Sequence, residues 1–150
     1  EREEKRMTVA NILKSKGSTE VATVAPEASA QEASQTLAAR GFGSLVVSSD
    51  GQTALGILSE RDIVREVGRK GPAVLSEPVE KLMTRNVVTC TKADKAVAVL
   101  AKMTEGRFRH MPVVEGGRMV GLITLGDVVK FRLEELAMEK DALEGMIMGF

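Results

Sequence analysis

The 150-residue chain contains no Trp and no Tyr, one Cys, one His and four Phe. With only Phe42, Phe108, Phe131 and Phe150 as aromatics, the stacked platforms that hold single-stranded bases are missing. Any bound base must therefore be gripped by aliphatic side chains and backbone. The lone Cys90 rules out an internal disulfide framework and fits a reducing compartment. One Cys and one His cannot complete the usual zinc tetrahedron, and the carboxylates show no metal-ligand spacing, so no metal is expected. Charge of one sign is missing too. The 21 Lys and Arg balance 21 Asp and Glu, which argues against a chain whose main task is holding a nucleic-acid backbone. No apolar run approaches the ~20 residues needed to cross a bilayer. The start, Glu1 to Arg6, is charged and lacks the apolar core of a signal peptide. These absences read as a cytoplasmic chain without membrane partners, residues 1–7 forming an N-terminal extension.

What is present is enough apolar material for a core, at 43% hydrophobic and 28% charged residues. A chain of this length buries roughly 70% of its unfolded surface, which suits one compact domain or two small fused units. An internal repeat decides for the second. Gly56-Ile57-Leu58-Ser59-Glu60-Arg61-Asp62-Ile63-Val64-Arg65 lies over Gly121-Leu122-Ile123-Thr124-Leu125-Gly126-Asp127-Val128-Val129-Lys130 at an offset of 65, and all but two positions keep their chemical class. Upstream, Val21 to Val24 lies over Val87 to Cys90 at an offset of 66. A leading segment repeats as well, Val9 to Leu13 over Val79 to Met83.

Each repeat has the same grammar. A short β-rich stretch (Val21 to Val24; Val87 to Thr91) precedes a helix with small apolar residues at helical spacing, Ala30, Ala33 and Leu37 in one copy and Ala96, Val99, Leu100 and Met103 in the other. A hairpin follows, its β-branched runs flanking Ser48-Ser49-Asp50-Gly51 in the first repeat and Glu115-Gly116-Gly117 in the second. A helix starting near Ser59 or Thr124 closes the unit, giving β-α-β-β-α. The expected organisation is repeat one over 8–68, a linker over 69–78 that is Gly- and Pro-bearing, repeat two over 79–132 and a C-terminal amphipathic helix over 133–150. A unit of about 60 residues is marginal alone, so the two are expected to pack face to face with pseudo-twofold symmetry.

The tandem unit ending in Gly-h-h-Ser/Thr-x-x-Asp, with Arg107-Phe108-Arg109-His110-Met111-Pro112-Val113-Val114, resembles the cystathionine-β-synthase (CBS) domain pair, or Bateman module, over roughly residues 8 to 132. The resemblance implies an α/β (α+β) fold and a cleft for adenosine-containing ligands: AMP first, then ATP, NAD(H) or S-adenosylmethionine. It also implies a disc-like homodimer that regulates an unidentified downstream protein without catalysis of its own.

By resemblance, Asp62 and Asp127 hold ribose hydroxyls, and an ionised carboxylate can accept both at once. The competing reading is a helix cap, since Ser59 or Thr124 three residues ahead of an Asp is close to a capping box. Ser59 and Thr124 would offer hydroxyls to ribose or phosphate. Arg61 shares the first turn, but Gly126 takes its place in repeat two, so the two sites differ chemically. Arg107, Arg109 and His110 are the candidate phosphate contacts, the alternative being a solvated basic turn; their partners in repeat one are read as Phe42 and Gly43. Val21, Ala22, Val87, Val88, Met111 and Pro112 are the candidate adenine walls, with ordinary core packing as the alternative. No acid or nucleophile stands beside His110 at a catalytic spacing, and Cys90 reads as a small core residue. Two rivals stay open: an interaction scaffold with degenerate sites, and a nucleic-acid module built on the Arg107 to His110 patch.

Overall fold

The computed structural model describes residues 7–17 and 20–147. The extension at 1–6 and the last three residues of the expected C-terminal helix lie outside the described residues. In chain order the elements are α1 (Val9–Lys16), β1 (Thr23–Val24), α2 (Ala30–Arg40), β2 (Ser44–Val47), β3 (Gly56–Ser59) and α3 (Glu60–Lys70). Two 3-10 turns, Pro72–Ser76 and Val79–Lys81, lead to α4 (Ala96–Gly106), β4 (His110–Glu115), β5 (Arg118–Thr124) and α5 (Leu125–Ile147). None of the described helices is long and apolar enough to cross a membrane.

Local chemistry places these elements. At the start of α2 the Ser29 side chain accepts the Glu32 N–H, and at its end Gly41 takes a left-handed φ of 66°. The stripe Ala30, Ala33 and Leu37 is buried, and so is its counterpart Ala96, Val99 and Met103 on α4. In the β2–β3 turn the Asp50 carboxylate accepts the Thr53 and Gln52 amides, each at 2.8 Å, which hold its pKa at about 2. In the first sheet β1 runs parallel to β2, which pairs antiparallel with β3; in the second, β4 and β5 form the hairpin.

Several expectations are corrected by the backbone. The first strand of repeat one is only Thr23–Val24. In repeat two the stretch from Val87 to Thr91 supplies no strand, and Cys90 alone bridges parallel to Val113. Its pairing is confined to Cys90, whose N–H donates to Pro112 O at 3.0 Å and whose carbonyl accepts the Val114 N–H at 2.8 Å. The stretch 69–78, composed like a linker, is packed: Val74 is buried among Leu37, Ile63 and Leu82. The closing helix of repeat two and the C-terminal helix are one unbroken element, α5.

The two leading segments are exchanged. Val9, Ile12 and Leu13 of α1 are buried in the core of repeat two, with Cys90, Val99, Met103, Met111 and Ile123. Conversely Val79 and Leu82 complete the core of repeat one, with Leu37, Leu45, Val47, Leu58 and Ile63. Backbone pairing repeats this reciprocity, since Thr8 bridges Lys95 ahead of α4 and Pro78 bridges Ser29 ahead of α2. Neither repeat therefore closes its core with its own chain alone.

The glycine of each closing motif makes the exchange possible. A Cβ on Gly56 would run into the Met83 side chain and lie 2.8 Å from the Thr84 carbonyl oxygen. A Cβ on Gly121 would lie 2.7 Å from the end of the Leu13 side chain. Ile57 and Thr84 exchange backbone hydrogen bonds of 3.0 and 2.9 Å here, so the backbone cannot retreat without breaking them. We expect Gly56→Ala to lower stability by about 1–3 kcal/mol in urea denaturation, the usual cost of overpacking. Gly121→Ala is expected to cost less, because Leu13 can turn away. Equal stability of Gly56→Ala and the wild type would refute this view of the junction.

Candidate functional site

The closing helix of repeat one begins with a reciprocal cap. The Ser59 N–H and hydroxyl donate to Asp62 Oδ2 at 2.9 and 3.0 Å, and the Asp62 N–H returns to Ser59 Oγ at 3.2 Å. Asp62 is only 5% exposed. A buried carboxylate needs such donors, because its desolvation is otherwise unfavourable. Its other oxygen, Oδ1, accepts from Arg65 Nη2 at 2.9 Å. The capping box is thus real and satisfies one carboxylate oxygen, while the second is held by a guanidinium that is half exposed, at 51%.

Asp62 faces a cleft of about 540 Å³, within the range that takes small ligands. Repeat one supplies Ile57, Ser59, Arg61, Asp62 and Arg65. Repeat two supplies Thr84, Asn86, Val87 and Val88 on one side, and Gly106 to His110 on the other. The exchange of leading segments causes this juxtaposition, since pairing Thr84 to the edge of β3 lays Val87 and Val88 beside Ser59. Ser59, Arg61, Asp62, Val87, Val88, Arg107, Arg109 and His110, all singled out in the sequence, meet in this one cleft.

The cleft is strongly basic. Arg61, Arg65, Arg107 and Arg109 line it against the single carboxylate of Asp62. His110 titrates below the ordinary histidine value because burial disfavours its cation and Arg109 repels it; Glu60 and Asp127 oppose this more weakly. Arg107 occupies the left-handed position after α4 with φ 56°, where Gly41 stands after α2. Among the described residues it is the only one other than glycine with positive φ. Such a conformation costs an L-residue about 1–2 kcal/mol, and retaining it keeps a guanidinium at the mouth of the cleft.

The other predicted residues are not in this cleft. Thr124 lines an adjoining hollow of about 460 Å³ together with Ser59, Arg61, Arg109 and His110. Asp127 borders a third hollow, of about 410 Å³. Its Oδ2 accepts the Thr124 N–H at 2.9 Å and forms an ion pair with Lys16 at 2.8 Å. That contact holds the Asp127 carboxyl below its ordinary pKa although burial pushes the other way. Val21 and Ala22 line none of these hollows, and the Ala22 side chain packs on the core of repeat one. Met111 is fully buried in the core of repeat two, and Pro112 is buried in β4 opposite Leu122. Met111 and Pro112 line none of these hollows, because they point to opposite faces of β4 and both faces are covered there. Strand register also shifts the equivalence at the basic corner: His110 pairs with Thr124 as Ser44 pairs with Ser59. The partners of Arg109 and His110 are therefore Gly43 and Ser44, not Phe42 and Gly43. Ile57, Thr84, Asn86 and Phe108 line the cleft without having been assigned to it; the invariant spacing of the glycine motif to Ile57 was the signal for the first. Cys90 is buried and its thiol is pushed up to about 12 by desolvation, as a core residue requires.

The family described as CBS domain matches residues 9–69 and 79–134. The CBS-domain containing protein ATU1752 from Agrobacterium tumefaciens has 43% sequence identity and a TM-score of 0.79, with 83% of this chain and 98% of that chain covered. The CBS domain pair of protein MJ0100, solved in complex with 5-methylthioadenosine and S-adenosyl-L-methionine, has 25% identity and a TM-score of 0.74, covering 85% and 97%. The mitochondrial CBS domain-containing protein CBSX3 of Arabidopsis thaliana is 30% identical over 149 residues, 95% of this chain and 72% of its own. Other plant relatives are much longer, this chain spanning 20% of CBSCBSPB5 of the same organism.

The strained Arg107 yields a test. Arg107→Gly is expected to raise stability by about 1 kcal/mol, because glycine takes this conformation freely, and to weaken anion binding in the cleft. Denaturant melts and phosphate-ligand titrations on the same variant read both. A variant that is neither more stable nor weaker at binding would show that Arg107 carries no functional strain.

Proposed function

Since the chain belongs to the CBS domain family and carries a tandem pair of its repeats, we propose that it is a non-catalytic regulatory module that reversibly binds an adenine nucleotide beside Asp62. The observation that carries this reading is the meeting, in one cleft, of a buried ribose-type carboxylate, apolar walls from the other repeat and four guanidiniums. In this reading the ribose diol replaces Arg65 on Asp62 Oδ1, and Arg65 turns with Arg61, Arg107 and Arg109 toward the phosphates. Val87 and Val88 flank the adenine, and backbone groups of the same stretch read its edge. The Ser59 hydroxyl and the Asp62 carboxylate are committed to the helix cap, which supports binding without turnover.

Charge orders the ligands. Four guanidiniums against one carboxylate leave a surplus of positive charge while His110 is neutral. A monophosphate carries about two negative charges at most, so AMP offsets part of the surplus and ATP offsets it more fully. NAD(H), whose pyrophosphate is a diester without a dianionic terminal phosphate, follows AMP, and the cationic sulfonium of S-adenosylmethionine comes last. The nucleic-acid alternative draws on the same cations, but the cleft is a hollow bounded by both repeats and flanked by Asp62 rather than a track along a surface.

Val64 of α3 and Val129 of α5 stand at equivalent places in the two repeats and are both exposed. They support a homodimer formed across the closing helices, and sedimentation equilibrium giving only the monomer mass would remove that part of the reading. Binding at the cleft would bias such a dimer only as far as affinities differ between its states.

Calorimetric titration with ATP, AMP, NADH and S-adenosylmethionine tests the reading, using protein stripped of bound nucleotide. Affinity is expected to fall in that order, and Asp62→Ala to weaken ATP by more than about tenfold, the loss of a charge-assisted pair of hydrogen bonds. No binding by any of the four would favour the scaffold. The pH dependence follows from His110. Folding favours its neutral form, so its contribution to stability is present above the ordinary histidine value and is lost as pH falls through it. A phosphate beside it reverses the preference and draws a proton. ATP affinity is therefore expected to rise as pH falls below about 6.5, and to rise less in His110→Gln. Arg109 and Lys16 oppose this protonation, whereas Glu60 and Asp127 assist it. Identical pH profiles for the two proteins would remove His110 from the phosphate site.

A further inference from the structure

We propose that Lys16 occupies the place of the ribose at Asp127, so that the chain has one working nucleotide site, at Asp62, and a second that opens only when Lys16 is removed. This rests on the reading of Asp62 given above. The two carboxylates are equivalent by sequence offset, by position at the start of a closing helix and by the hydrogen bond from the residue three before. Their covering cations are not equivalent. Arg65 lies three residues along the same helix as Asp62, is half exposed, and has Glu66 at 3.7 Å as a second carboxylate to hold it when it leaves Asp62. Lys16 comes from a different element and is held at two points, Asp127 Oδ2 at 2.8 Å and the Leu122 carbonyl at 2.8 Å.

The anchoring of α1 fixes that position. Val9, Ile12 and Leu13 are buried in repeat two, and Leu13 rests on Gly121. The end of α1 is thereby delivered to the β5–α5 junction, with the Lys16 ammonium between the carboxylate and the strand. Its two hydrogen bonds are those a ligand hydroxyl pair would have to replace.

The second site also carries fewer groups that would draw a phosphate, because Lys130, the counterpart of Arg65, is offset by Glu134 in the same hollow. Arg61, Arg107 and Arg109 of the open cleft correspond to Gly126, Gly41 and Gly43. Arg40, at the same corner, stacks on Phe42 at 4.6 Å and pairs with Glu20 at 3.2 Å. A ligand admitted there would be an uncharged nucleoside rather than a nucleotide. Lys16 thus determines how many ligands the chain takes, and the missing arginines determine which class the spare site would accept.

The probes are ATP and adenosine, and the proteins are the wild type, Asp62→Ala and Lys16→Met, the last keeping most of the apolar stem of the lysine. Circular dichroism and thermal melts establish that each variant is folded. ATP is expected to bind the wild type at one per chain and to be lost in Asp62→Ala. Adenosine added to ATP-saturated wild type is expected to give no heat. In ATP-saturated Lys16→Met it is expected to bind at one further site, and Lys16→Met/Asp127→Ala is expected to lose that site. Adenosine binding to ATP-saturated wild type, or no adenosine binding to Lys16→Met, overturns the proposal. A second wild-type ligand lost in Lys16→Met overturns it too, because Lys16 would then be a ligand contact. Failure of ATP at Asp62 would instead overturn the reading of the first cleft, and adenosine on Lys16→Met alone would still report on the gate.

Discussion

The exchange of leading segments is the interaction on which the rest of the structure depends. Each repeat lacks part of its own core: α1 fills repeat two, and the Val79–Lys81 turn with Leu82 fills repeat one. Units of this size bury too little surface to be secure alone, and the exchange couples their stabilities. It also sets the geometry of the cleft. Thr84 must reach the β3 edge to pair with Ile57, and the residues that follow it are then laid against the start of α3. The glycines that open the closing strands are explained by the same contact, since they leave room for Met83 and Leu13 rather than for any ligand.

A helix start can cap itself and still present a binding group. At Asp62 one carboxylate oxygen is engaged by Ser59, which fixes the side chain in a buried place. The other oxygen is covered by an exposed, exchangeable guanidinium. Under the proposed function, capping and ligand binding are successive uses of one rigid carboxylate. At Asp127 the same cap is met by an anchored ammonium, and the identical motif has a different chemical state.

Duplication followed by divergence at a few positions has produced two unequal halves. The hairpin and the start of the closing helix recur in both halves, while the cations are concentrated on one side: Arg61, Arg107 and Arg109 stand where the other half has glycines. Holding Arg107 in a left-handed conformation costs stability that the glycine at 41 does not. The concentration of like charges around one buried carboxylate also accounts for the neutral state of His110, which burial and Arg109 both favour.

The sequence by itself determined the repeat, the α-β-β-α order common to both halves, the helix stripes and turns, and the residues Ser59, Arg61, Asp62, Arg107, Arg109 and His110. These depend on spacing and turn chemistry within a few residues of each other. Only the tertiary structure decided which half pairs with which. That Val87 and Val88 face Asp62, that α1 belongs to the other core, that Met111 and Pro112 are interior, and that Lys16 sits on Asp127 all depend on contacts between residues distant in the chain. A one-residue shift at the basic corner was likewise settled by strand register, which local pattern leaves open until the two hairpins are paired. The lysine gave no local signal, because nothing in the pattern of an amphipathic helix says which carboxylate its last charged residue will meet.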